Sequence, residues 1–153
     1  MKIERFLLAS TAVASLTFAA ETRVSLESLP PAVQAAVKQQ TKDATLDGIS
    51  KEIEHGKPEY EAETHVNGKS RDIVFDQTGA VLETEDETDL DAIPAAAKAA
   101  IMRHAAGGTV EKVEKVTAGS TVRYEASIKS KSNRKSEFSV NPDGSTKKAK
   151  DND

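Results

Sequence analysis

A chain that repeats its own pattern is confined to folds that can use one unit twice, and this chain does so. A shift of 64 positions carries Leu29-Pro30 onto Ile93-Pro94, Thr45-Leu46 onto Thr109-Val110 and Ile49 onto Val113. The same shift carries Tyr60-Glu61-Ala62 onto Tyr124-Glu125-Ala126. One residue further on, at an offset of 65, Phe75 to Gly79 falls on Val140 to Gly144. A proline-led segment, a tyrosine-centred segment and a glycine turn in the same order predict a duplicated supersecondary unit.

Each unit opens with a helix. Pro30-Pro31 and Pro94 suit a first helical turn, where the missing N–H has no partner to lose. Val33, Ala36 and Val37 form one apolar stripe, matched by Ala97, Ala100 and Ile101, and Gly107-Gly108 supplies a stop after the second helix. Strands follow. Tyr60, Ala62, Thr64 and Val66 alternate with Glu59, Glu61, Glu63 and His65, and Val122 to Ile128 repeats the alternation with Arg123 and Glu125. A period of two marks a half-buried antiparallel strand. Asn67-Gly68 and Asp76 to Gly79 are hairpin turns, with a further strand over 46–55 and a turn over 56–59 that sets His55 near Tyr60. Tyr60 and Tyr124 fall on the apolar faces of their strands and are expected in the core.

These patterns predict an α+β fold of two tandem repeats, residues 21–88 and 89–153, each an N-terminal helix packed on a roughly four-stranded antiparallel meander. The acidic run Glu83 to Asp91 reads as a solvated linker. The second unit carries Thr146-Lys147 and further lysines where the first has Val81-Leu82, so its last strand is expected to be frayed or at an edge.

Residues 1–20 read as an export signal: Lys2 and Arg5, then an apolar run from Phe6 to Phe18, then Ala19 and Ala20. The run is too short for a bilayer, which takes roughly 20 residues. Localisation in the periplasm or outside a bacterial cell follows, and with no cysteine in the chain neither a disulfide nor a lipidated cysteine contributes. Residues 21–88 hold 15 acidic and 7 basic side chains, a net of −8, and residues 89–153 hold 9 and 12, a net of +3. The basic half lacks the density and aromatic interleaving of a nucleic-acid surface.

The pattern of Leu29-Pro30, Tyr60-Glu61-Ala62, Asn67-Gly68-Lys69 and Phe75 to Leu82 resembles the PepSY and PepSY-like domains of exported bacterial proteins. Ile93-Pro94, Tyr124-Glu125-Ala126 and Asn141 to Gly144 repeat it. The tandem arrangement is similar to that of the secreted β-lactamase-inhibitor proteins, which present a concave sheet to a target enzyme. The resemblance implies a fold and a style of binding, brings no catalytic motif, and lacks that inhibitor's disulfides.

Catalysis is not expected. His55, His65 and His104 are the only histidines, without metal-ligand spacing, and no nucleophile or phosphate-loop motif is present. Asp76 to Gly79 is too poor in carboxylates for a calcium loop, and no metal or cofactor is predicted. The candidate partner-binding residues are Glu52, Glu54, Glu59, Glu61, Glu63 and His65 on two adjacent strands. Like charges side by side cost stability, so their grouping points to an exported binding protein that docks a basic protein, inhibiting or escorting it. The alternative is a periplasmic protein that captures a cation or small ligand through its acidic first half.

Overall fold

The structure is a computed structural model in which residues 22–146 are described. The expected signal peptide and the lysines from Lys147 onward lie outside these residues. Eight strands form one antiparallel sheet in chain order: β1 (Thr22–Arg23), β2 (Thr45–Glu54), β3 (Lys57–Val66), β4 (Lys69–Asp76), β5 (Val81–Glu87), β6 (Thr109–Ala118), β7 (Thr121–Lys129) and β8 (Lys135–Val140). Helix α1 (Pro31–Gln40) lies between β1 and β2, and α2 (Ala95–Ala105) between β5 and β6. Each follows a single 3-10 turn, at Leu26–Ser28 and Leu90–Ala92.

This continuous sheet corrects the expectation of two tandem helix-plus-meander repeats. The segment read as an acidic linker is strand β5, which pairs with β4 on one side and with β6 on the other, from Thr84↔Thr117 to Glu87↔Glu114. The physical reason is the edge. Half of this chain is too small to bury a large core, and β5 standing alone would leave a row of unpaired backbone groups. Pairing β5 to β6 satisfies them. Among the described residues β8 is the last strand; it ends at Val140 and passes into a turn at Asn141–Ser145, and the lysines expected in a frayed last strand lie beyond them.

Both helices cover the same face. Val33 and Val37 of α1 pack on Ile49, Tyr60, Ala62, Ile73 and Phe75. Ala97, Ala100 and Ile101 of α2 pack on Val113, Tyr124, Ala126, Ile128 and Val140. Tyr60 and Tyr124 are buried, as their strand positions predict. The small alanines let each helix sit close to the sheet, and tyrosine and phenylalanine fill the space beneath. Register shifts between Leu46 and Gly48 in β2, and between Val110 and Lys112 in β6, fall at matching places in the chain. Such bulges bend a sheet.

Turns follow the glycine signals with two adjustments. The β2–β3 turn is His55-Gly56, with φ of 49° and 77°, so Tyr60 pairs with Lys51 and not near His55. The expected turn over 56–59 is thereby displaced toward His55. Helix α2 ends on Ala106 in the left-handed region (φ 47°, ψ 39°), one residue before the predicted glycine stop. An alanine there carries a steric penalty that glycine avoids. Ala106→Gly is therefore expected to raise stability by about 0.5–1 kcal/mol. Thermal melting checks this: an unchanged or lower melting temperature would show that the cap is not strained.

Candidate protein-docking face

With both helices on one side, the alternation of each strand sends every second side chain to a helix-free face. Register places Glu52 opposite Glu59, Ser50 opposite Glu61 and Gly48 opposite Glu63. Across the next seam Glu59 faces Asp76, Glu63 faces Asp72 and His65 faces Ser70. Glu52, Glu54, Glu59, Glu61, Glu63 and His65 thus share this face. Glu52 is buried, whereas Glu54, Glu59, Glu61 and Glu63 are half-buried. His65 pairs through Nδ1 with Asp47, the extra residue of the β2 bulge. His55, in the turn, lies 3.0 Å from Glu54 Oε1.

The acidic field extends well beyond those six residues. Asp72 of β4 faces Glu85 of β5, Glu87 faces Glu114 of β6, and Glu114 faces Glu125 of β7. Cations interrupt it, three of them through ion pairs at its centre. Arg23 of β1 reaches across the space left by Gly48 to Glu63 at 2.7 Å; a Cβ on Gly48 would meet its guanidinium. Arg123 of β7 donates from both terminal nitrogens to Glu83 at 3.1 and 3.2 Å and from Nε to Glu125 at 2.9 Å. Lys112 sits 2.5 Å from Glu114. Beneath them Val116, which points to this face opposite Arg123 and Glu85, is fully buried.

The electrostatics follow from that crowding. Burial, then the Glu114, Glu125 and Glu83 carboxylates, push Glu85 up to about 8. Burial also raises Asp72, with Lys112 opposing it. Burial works to lower Lys112, but Glu114, Asp72 and Glu87 outweigh it and hold it above the usual lysine value. Glu87 is held low because Ser70 donates its backbone N–H at 3.0 Å and its hydroxyl at 3.2 Å. Glu59 is raised by burial and by Glu54, with His55 opposing and Glu83 and Asp76 adding to the rise.

Asp72, Glu85 and Glu114 bring carboxylate oxygens within 4.8 Å of one another, the arrangement that holds a hard cation. Lys112 already supplies a positive charge there. This half of the face is not among the residues expected from the sequence, because the acidic run Glu83 to Asp91 reads as a linker and is strand β5. The signal was present in the alternation of Glu83, Glu85 and Glu87 with Thr84 and Asp86, matched by Arg123 and Glu125 around Tyr124.

Among the described residues no helix is long and apolar enough to cross a membrane. No family model and no curated protein match this chain. Solved structures do. A Bacteroides eggerthii protein, provisionally described as periplasmic, is 22% identical, with 76% of this chain and 84% of that one covered and a TM-score of 0.62. A DUF2874 family protein from Bacteroides ovatus is 21% identical, covering 79% and 86% with a TM-score of 0.61. A BLIP-like protein from Bacteroides fragilis is 21% identical, covering 76% and 82% with a TM-score of 0.55. At these identities the likeness is one of fold, and the fold of this chain is BLIP-like.

Proposed function

We propose that this chain is an exported, non-catalytic binding protein of the bacterial envelope that docks a basic protein on its helix-free sheet face. The observation that carries the reading is the packing of both helices on one side, which leaves the other side a broad, charged and unfilled surface. The export-signal pattern of residues 1–20 and the periplasmic description of a protein of the same fold support the address. The BLIP-like name of another supports recognition by the open sheet, and the PepSY-like pattern is consistent with an inhibitor or escort. Carboxylates in excess over Arg23, Lys57, Lys112, Arg123, Lys129 and Lys135 on this face favour a cationic partner, with electrostatics setting on-rate and selectivity.

The test uses residues 21–153 as bait in envelope extract at low salt, beside a bait carrying Glu61→Lys and Glu63→Lys. Circular dichroism first establishes that both are folded. One exported protein held by the first bait and lost at least about tenfold from the second is the expected result. Equal retention would overturn the reading. No retention on either would favour cation capture at Asp72, Glu85 and Glu114, seen as a melting shift in millimolar calcium that a chelator reverses.

A further inference from the structure

The end of the sheet where the β2–β3 and β4–β5 hairpins lie side by side differs from the rest of the surface. Four large apolar side chains stand exposed among the described residues, and three of them are here: Ile53 (45%), Val81 (42%) and Leu82 (37%). Ile53 pairs with Pro58, and Val81 with Phe75, while Leu82 occupies the register shift between them. A cleft of about 240 Å³ opens at the same place, with Pro58 and Leu82 among its walls and Glu59, Asp76 and Lys57 at its rim. Apolar side chains gathered at one exposed spot mark a contact surface more than scattered ones do.

The carboxylates of this cleft are differently engaged from those at the centre of the face. Arg123 is shared between Glu83 and Glu125, and Arg23 pairs with Glu63. Among the described residues no ion pair or hydrogen bond holds the Glu59 side chain, whose charged neighbours are Glu54, Glu83 and Asp76 against His55. Asp76 Oδ1 accepts from the Thr78 N–H at 2.8 Å, the Thr78 hydroxyl at 2.6 Å and the Ala80 N–H at 3.0 Å, and the Gly79 backbone N–H also holds the carboxylate.

We infer that this cleft anchors a lysine or arginine side chain flanked by an apolar residue on the partner. The aliphatic stem would lie on Leu82 and Pro58, its head would meet the Glu59 and Asp76 carboxylates, and the flanking residue would extend over Leu82. Long cationic side chains bury their stems on apolar surface while the charge stays at a polar rim. The inference rests on the docking reading above and specifies where on the face the partner is gripped.

The experiment is nitrogen-15 NMR titration of residues 21–153 with acetyl-Leu-Lys-Leu-amide, beside acetyl-Leu-Glu-Leu-amide and acetyl-Ser-Lys-Ser-amide. Saturable shifts at residues 57–59, 76–78 and 82 with the first peptide, and at least about fivefold weaker binding of the other two, are expected. Leu82→Ser and Glu59→Gln should each weaken the first peptide by a similar factor, with the remaining spectrum unchanged to show an intact fold. Shifts centred on Glu61 and Glu125, or equal binding of all three peptides, would overturn the inference. The two readings fail separately. Partner capture lost from the Glu61/Glu63 bait but kept by Leu82→Ser would sustain the docking face and sink this anchor, whereas peptide binding at the cleft with capture indifferent to Glu61 and Glu63 would do the reverse.

Discussion

Replacing Gly79 with alanine is expected to remove about 3 kcal/mol of stability, the sum of a left-handed backbone penalty and an overpacked contact. Gly79 has φ of 82°, and a Cβ there would stand 2.6 Å from the carbonyl oxygen of Ala32, in the first turn of α1. That oxygen belongs to backbone, so relief requires moving the helix off Val33's seat in the core. Gly144 repeats the arrangement at φ 81°, with its Cβ position 2.7 Å from the Ala96 oxygen of α2. Gly68 supplies the internal control: its φ is 81°, but nothing lies within 4 Å of the added carbon. Urea unfolding should rank Gly79→Ala and Gly144→Ala well below Gly68→Ala, which should lose only about 1 kcal/mol. Equal losses at all three positions would mean that the turns do not brace the helices.

Glu85→Gln should act in the opposite direction, by an amount that grows as pH rises from 4.5 to about 8. The pKa of Glu85 rises from 4.5 to about 8 in the folded chain, so the folded state binds the proton more tightly than the unfolded state does. The stability this contributes is fully present below pH 4.5 and is lost as pH rises through 8. The groups around it explain why: Asp72 from β4, Glu83 on its own strand, Glu114 and Lys112 from β6, and Arg123 and Glu125 from β7. Ionising Glu85 adds a fifth carboxylate to a cluster holding two cations. Glutamine keeps the site neutral, so at pH 9 the variant should exceed the parent by about 2 kcal/mol once partial exposure is discounted. Below pH 4.5 the two should melt together. A parent melting temperature that is flat from pH 5 to 9 would show that the cluster relaxes at no cost.

Wherever local chemistry decides the structure, the sequence was informative. Pro31 and Ala95 begin the helices, Asn67-Gly68 turns the β3–β4 hairpin, and the tyrosines of β3 and β7 fall inside. The failures have one cause. Strand β5 carries no buried apolar residue, and its partner Thr109–Ala118 lies beyond an intervening helix, so nothing within the strand announces its pairing. Read alone, Glu83 to Glu87 is a run of like charges. Placed between β4 and β6 it becomes the centre of the acidic face, and the linker, the separate sheets and the missing carboxylates are a single misreading. The six carboxylate and histidine positions on β2 and β3 were legible because β3 alternates cleanly, whereas Arg23 was not, because its role depends on the space above Gly48.

The chain-order arrangement of the strands has a kinetic consequence. In the sheet each strand hydrogen-bonds the strand before and after it in the chain, and all but two of the connections are tight turns. The exceptions are the segments that carry α1 and α2. Short separation between contacting residues lowers the entropy lost before a contact can form, and chains of this kind fold faster than sheets built from distant strands. Hairpins at Asn67-Gly68 and Gly119-Ser120 can close independently, and joining β5 to β6 is then a late merger of two preformed pieces. In an exported chain of this design only the centre of the acidic face, where Glu85 and Glu87 meet Val116 and Glu114, depends on that merger.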